Sequence, residues 1–144
     1  GGWDVAVAWC PDERSSVLRC LAMWMAAPDR HTLFETSTWQ RRLSLTASQV
    51  GRAVGRDHAR WIADLTAADD PQLASAAGEG MHAALLIPIR HGEETSGVLE
   101  LLTTASSAID PDVATALESV ALQLAHFEHL LRRSAEPRWR MGRL

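Results

Sequence analysis

Short apolar runs alternate with polar positions along the first part of the chain: WDVAVAWC at residues 3–10, LRCLAMWM at 18–25, and PDERSSV between them. β-prone runs of this length, joined by Pro, Asp and Ser, predict a β-hairpin. From Pro28 to Thr46 the pattern is mixed, with Leu33, Phe34, Trp39, Leu43 and Leu45 as apolar anchors and a strand expected near the end. In SQVGRAVGRD, residues 48–57, Ser48 is suited to capping and Val50 and Val54 stand four apart, which predicts a short helix. HARWIADL, residues 58–65, reads as a strand. Asp69, Asp70 and Pro71 then precede a small-residue run ending in Gly78 and Gly80, the start and stop signals of another short helix.

Two further strands follow in GMHAALLIPIRHGEETSGVLELL, residues 80–102, with HGEETS as the turn. AALLIPI is apolar at consecutive positions, so both of its faces should be covered. The second run holds one carboxylate, Glu100, on the strand face it shares with Val98 and Leu102. A buried carboxylate there needs a partner such as an Arg or backbone donors. The pattern reads it as structural rather than as a general base, and leaves open which face of the sheet it occupies.

The last segment has the strongest helical signal. Asp110 is a good N-cap, Pro111 fits the first helical position, and Val113, Leu117, Val120, Leu124, Phe127 and Leu131 recur at spacings of 4, 3, 4, 3 and 4. That is a heptad-like seam on a helix of about 22 residues, roughly 33 Å long. After Arg133 the periodicity is lost. The order of elements predicts an α+β domain around a largely antiparallel sheet of about five to six strands. The long C-terminal helix covers one face, and the short helices and loops of residues 28–80 roof the other, an arrangement that commonly encloses a small-molecule cavity. The expected organisation is one domain over residues 1–132 with a tail or linker over 133–144.

Composition narrows the function classes. A chain of 144 residues supports one ordinary domain. With 47% hydrophobic and 22% charged residues it has globular composition. The net charge is −4, and the fourteen basic residues, all Arg, are scattered apart from a short C-terminal cluster, so no basic stripe points to nucleic acid. No window approaches the roughly 20 apolar residues of a membrane helix, and the start lacks a basic segment before its apolar stretch. The expectation is a soluble, cytoplasmic chain with neither nucleic-acid nor membrane partners. Cys10 and Cys20 belong to no metal-binding or CxxC spacing and read as two buried thiols.

Taken in order, GWDVAVAW, VLRCLAMW, VGRAVGRDHARWIADL, AAGEGMHAALLIPIRHGEETSGVLELL and ALESVALQLAHF resemble the GAF domains of bacterial signalling proteins over about nine-tenths of the chain. The most specific pieces are Trp61-Ile62-x-Asp64 after a Gly-containing helix, a Gly-Met start with Pro-Ile closing the strand, and Gly97-Val98-Leu99-Glu100. The resemblance implies a PAS-related sheet, a ligand pocket on one face, and terminal helices that form a homodimer and pass signals to an output domain. It further implies a non-catalytic sensory or regulatory module of a larger protein. The helix that usually precedes the first strand is expected to be absent from these residues, since Trp3 already lies in strand-like sequence, and LTASQVG offers only Gly51 where related domains carry more glycine.

The resemblance places an unidentified small-molecule ligand near Trp24, Trp39, Trp61, Asp64, His82 and Glu100, and the dimer seam on Leu117, Leu124, Phe127 and Leu131. The three tryptophans would stack on a flat ligand, although plain core packing is the simpler reading of each one alone. No cofactor is specified. Bilin attachment needs a pocket cysteine, and His82 has none beside it; the cyclic-nucleotide set of the family needs Asn and Lys, which the chain lacks. Haem needs an axial ligand such as His58 or His82, but the family's haem histidine falls a few residues before His82, which reads instead as a structural, partly exposed histidine. His126 and His129 lie three apart on the last helix with no third ligand near them in sequence, and read as a solvated face. The family's free methionine sulfoxide reductases use several pocket cysteines, whereas both thiols here are expected in a hairpin away from the cavity. A second class of function stays open: a ligand-free GAF fold that serves only for dimerisation and spacing.

Overall fold

The computed structural model describes residues 3–12, 16–27, 29–56, 58–91 and 94–105. Two antiparallel strands, β1 (Val5–Asp12) and β2 (Val17–Met25), open the chain as the expected hairpin, each running further into PDERSSV than the sequence pattern indicates. The register slips between Ala8 and Trp9, so Trp9 lies opposite Cys20 and Leu21 is the extra residue of a β-bulge. α1 (Thr32–Gln40), β3 (Arg42–Ser44) and α2 (Gln49–Arg52) follow. A single 3-10 turn at Ala53–Gly55 leads to β4 (Arg60–Ile62), and a second at Leu65–Ala67 leads to α3 (Pro71–Gly78). The long hairpin β5 (Ala83–His91) and β6 (Glu94–Thr103) completes a six-stranded sheet of order β3-β2-β1-β6-β5-β4. This is the expected α+β architecture.

Three local readings need correction. Residues 32–40 form a helix, and of their expected anchors only Phe34 is buried; Leu33 is 82% exposed and Trp39 44%. HARWIADL contributes only three strand residues, because the Asp64 side chain accepts from the backbone N–H of Thr66 at 3.0 Å and starts the second 3-10 turn. The turn HGEETS is shorter than expected, since β5 continues to His91 and β6 begins at Glu94. The long helix with Leu117, Leu124, Phe127 and Leu131, the His126/His129 pair and the tail from 133 all lie outside the described residues.

The two sheet faces have separate cores. Val5, Val7, Trp9, Leu18, Cys20, Ala84, Leu86, Val98 and Leu102 meet Phe34, Leu43, Val50, Leu65, Leu73, Ala76 and Met81 of the short helices and their connections. The opposite face gathers Leu85, Ile87, Ile89, Leu99 and Leu101, with Trp3, Ala6, Ala59 and Trp61 packed against them. β5 is buried on both faces from Ala83 to Ile89, as its unbroken apolar run requires. β4 pairs only with Ala84 to Leu86, so Pro88 lies where β5 has a ladder on the β6 side alone, the edge setting in which strands tolerate proline.

The helices of the roof are short, and side chains fasten their ends. Ser48 Oγ accepts from Gly51 N–H at 3.0 Å, and Asp70 Oδ1 accepts from the N–H groups of Gln72 and Leu73 at 2.9 and 3.1 Å, so both predicted caps are in place. Two glycines allow close backbone contacts. A Cβ on Gly97 would overlap the carbonyl oxygen of Trp9, and one on Gly51 would overlap that of Ser44. Gly97→Ala and Gly51→Ala are therefore each expected to lower the unfolding free energy in urea by about 2 kcal/mol. Gly55→Ala, which meets nothing within 4 Å, should change it by less than about 1 kcal/mol.

Candidate functional site

Strand alternation settles the orientation of Glu100. It pairs with Val7 and Leu86, both in the core beneath the helical roof, and is fully buried there. Trp9 pairs with Val98, which makes its indole the diagonal neighbour of Glu100 on the same face. The indole Nε1–H donates to Glu100 Oε1 at 2.8 Å, and Gln72 of α3 donates its Nε2–H to the same oxygen at 3.2 Å. Gln72 Nε2 also donates to Thr38 Oγ1 of α1 at 3.3 Å, and its Oε1 accepts from Arg41 Nη1 at 2.6 Å. One carboxylate thus links β6, β1, α3 and, through Gln72, the end of α1.

The partners differ from those expected. Neutral side-chain donors, rather than an Arg or backbone N–H groups, satisfy Oε1, and the buried Oε2 has no partner among the described residues. Burial, helped by the nearby charge of Asp70, raises the Glu100 pKa from 4.5 to about 7, against the lowering effect of the Trp9 and Gln72 hydrogen bonds and of the Arg41 charge. Cys20 also belongs to this interior layer, which corrects the expectation that both thiols stand away from it. Its thiol is pushed up to about 12, first by burial and then by the charges of Glu100 and Cys10. Such a thiol stays neutral at physiological pH, the opposite of an activated nucleophile.

The other sequence-predicted site residues fall elsewhere. Trp24, 56% exposed, and Trp39 border a surface recess of about 400 Å³ with Met23, Met25 and Glu35. Trp61 pairs with Leu85, so it lies on the sheet face opposite Glu100; its ring meets Trp3 edge-on at 6.4 Å between centroids. It borders a second recess of about 470 Å³ with Arg56, His58, Ala59 and Arg60. His82 is half-buried, with its backbone bonded to Thr103 and Leu65. The exposed Asp64 carboxyl is held below its usual range first by the Thr66 hydroxyl, then by the Thr66 N–H, with a smaller contribution from His82. The Trp24–Trp39 pair, Trp61, the Asp64–His82 pair and Glu100 therefore occupy four places. Gln72 and Trp9, the residues that contact Glu100, were not among the expected site residues; Trp9 read only as part of a strand. Among the described residues no three His, Cys, Asp or Glu side chains come together as a metal site.

A raised carboxyl pKa means that the folded chain holds a proton the unfolded chain releases. Stability attributable to Glu100 is therefore present below pH 4.5, falls as pH rises toward 7, and is lost above it. Relative to Glu100→Gln, the wild-type chain should lose on the order of 3 kcal/mol between pH 4 and pH 8. Urea denaturation at a series of pH values measures this, and parallel curves for the two proteins would contradict it. Trp9→Phe removes the shorter hydrogen bond, and should destabilise the chain by about 1–3 kcal/mol, more at pH 8 than at pH 5.

No curated protein matches the chain. Among solved structures, it is similar to the GAF domain of a phosphoenolpyruvate-protein phosphotransferase from Coxiella burnetii, with a TM-score of 0.75 and 18% identity over 93% of this chain and 76% of that one. A domain of a proposed two-component sensor histidine kinase protein from Sinorhizobium meliloti 1021 gives a TM-score of 0.68 at 16% identity, covering 94% of this chain and 85% of that one. The free methionine-R-sulfoxide reductase from Neisseria meningitidis gives 0.67 at 17% identity, covering 92% and 71%. At such identities the likeness concerns the fold. The GAF domain family model matches residues 1–127, and the chain belongs to the GAF domain family.

Proposed function

We propose that this chain is a non-catalytic sensory or regulatory GAF module that takes a small molecule between its sheet and its roof of short helices. Its state would then pass through terminal helices of a homodimer to an output domain in the cytoplasm. The observation that carries the reading is Glu100 Oε2, a buried oxygen with no partner among the described residues, beside the Gln72 side chain that ties the roof together. A ligand that donates one hydrogen bond there would remove the cost of an unsatisfied buried oxygen. It would also bear on Gln72, through which α1 and α3 are joined to the sheet. Structurally similar domains in a phosphotransferase and a proposed sensor kinase support a regulatory setting. The signalling helix rests on the heptad-like seam of Leu117, Leu124, Phe127 and Leu131. No helix among the described residues is long and apolar enough to cross a membrane.

A second reading, a GAF fold that only spaces and dimerises, is favoured by the tight interior: Gln72, Leu73, Val7 and Glu100 have no exposed surface, and the two recesses both open outward. Native mass spectrometry of the domain purified from cells separates the two. The sensory reading expects a retained small molecule that Glu100→Gln loses. A bare mass, with no thermal shift across a panel of small hydrogen-bond donors, would favour the spacer.

Catalysis of the reductase type is opposed by the neutral, buried Cys20 thiol. Iodoacetamide at pH 8 should leave Cys20 unmodified in the native protein and label it in urea, and the chain should not turn over free methionine-R-sulfoxide. Native labelling accompanied by turnover would reverse this assignment.

A further inference from the structure

The outer edge of β4 carries a second feature, apart from the Glu100 interior. Arg52 ends α2, Arg56 follows the 3-10 turn, and Arg60 opens β4, so one bend of the chain carries three arginines. Arg90 of β5 reaches the same bend, its Nη1 donating to the Arg56 carbonyl at 3.5 Å. Their proximity is electrostatically felt: the Arg60 pKa is lowered by partial burial and then by the positive charges of Arg56 and Arg52. Among the described residues none of Arg52, Arg56 and Arg60 forms an ion pair with a carboxylate, although the chain as a whole carries a net charge of −4. Asp57 lies outside the described residues.

Arg56 and Arg60 line the 470 Å³ recess together with His58, Ala59 and Trp61. The charge selects the ligand. A single exposed ion pair is worth only about 0–1 kcal/mol, so a monoanion would gain little in so open a place. Two arginines lining one recess, Arg56 and Arg60, with Arg52 and Arg90 close by, suit the multiple oxygens and charges of a phosphate chain, which accepts bidentate hydrogen bonds from more than one arginine. Relief of the mutual repulsion among the arginines adds to the attraction.

We propose that this recess is a binding site for a small, soluble, multiply charged phosphate compound, distinct from the interior around Glu100. The test is isothermal titration calorimetry of the whole chain with sodium pyrophosphate, at ionic strength held constant with sodium chloride. The expected result is saturable one-to-one binding with Kd below about 1 mM. Arg56→Ala with Arg60→Ala should weaken it about tenfold or more, and Arg52→Gln should weaken it less. Arg42→Ala removes an exposed arginine of β3 and should leave binding unchanged, as should Glu100→Gln. Far-UV circular dichroism verifies that each variant is folded. Absence of saturable binding, or equal weakening by Arg42→Ala, would overturn the proposal. A parallel arm with phosphatidylcholine vesicles containing phosphatidylglycerol should show no association; association with vesicles but not with pyrophosphate would overturn the soluble-ligand assignment.

Discussion

The indole of Trp9 and the amide of Gln72 both donate to one oxygen of Glu100, and through that atom the sheet and its helical roof are joined. Dipoles from neutral side chains offset only part of the desolvation of a carboxylate in the core. Much else follows from where this group sits. The bulge in the first hairpin sets Cys20 opposite Trp9, in the same buried layer. Gly97 lets β6 approach the Trp9 carbonyl, one residue before the stretch that presents Glu100. The same buried charge helps to hold the Cys20 thiol neutral.

The roof above this atom consists of helices too short to persist alone. α1 has nine residues, α2 four and α3 eight. Carboxylates fasten them to one another through backbone donors. Asp70, besides capping α3, accepts from Gln49 N–H at the start of α2 at 2.6 Å. Glu79, at the other end of α3, accepts from Phe34 N–H at the start of α1 at 3.0 Å and faces His31 at 3.8 Å. α3 therefore contacts both other helices and, through Gln72, the sheet. In the proposed sensory role, an occupant beside Gln72 would act on the element that all the others share.

Local signals were legible where the chemistry is local. Ser48 and Asp70 cap as the pattern predicts, because an N-cap hydrogen bond spans only two or three residues. The unbroken run AALLIPI gave a strand buried on both faces, and alternation put Glu100 with Val98 and Leu102. What remained hidden depends on long-range contacts. α1 lacks an apolar stripe, its N-cap His31 forms no side-chain cap, and its start is held by Glu79, 45 residues away. The paired donors of Glu100 come from 91 and 28 positions away. Nothing in GVLELL signals either. The spread of Trp24, Trp39 and Trp61 over different surfaces was equally hidden, since the short strand β4 and the exposed edge of β2 are set by sheet pairing.

Glu100 is a buried carboxyl held by neutral donors, with a pKa raised close to neutrality. Carbon-13 NMR of the side-chain carboxyl, assigned by its loss in Glu100→Gln and followed from pH 3 to pH 9, tests it most directly. The expected titration midpoint is near 7. A midpoint at the ordinary value near 4.5 would show that the carboxylate is solvated or ion-paired, and would contradict it.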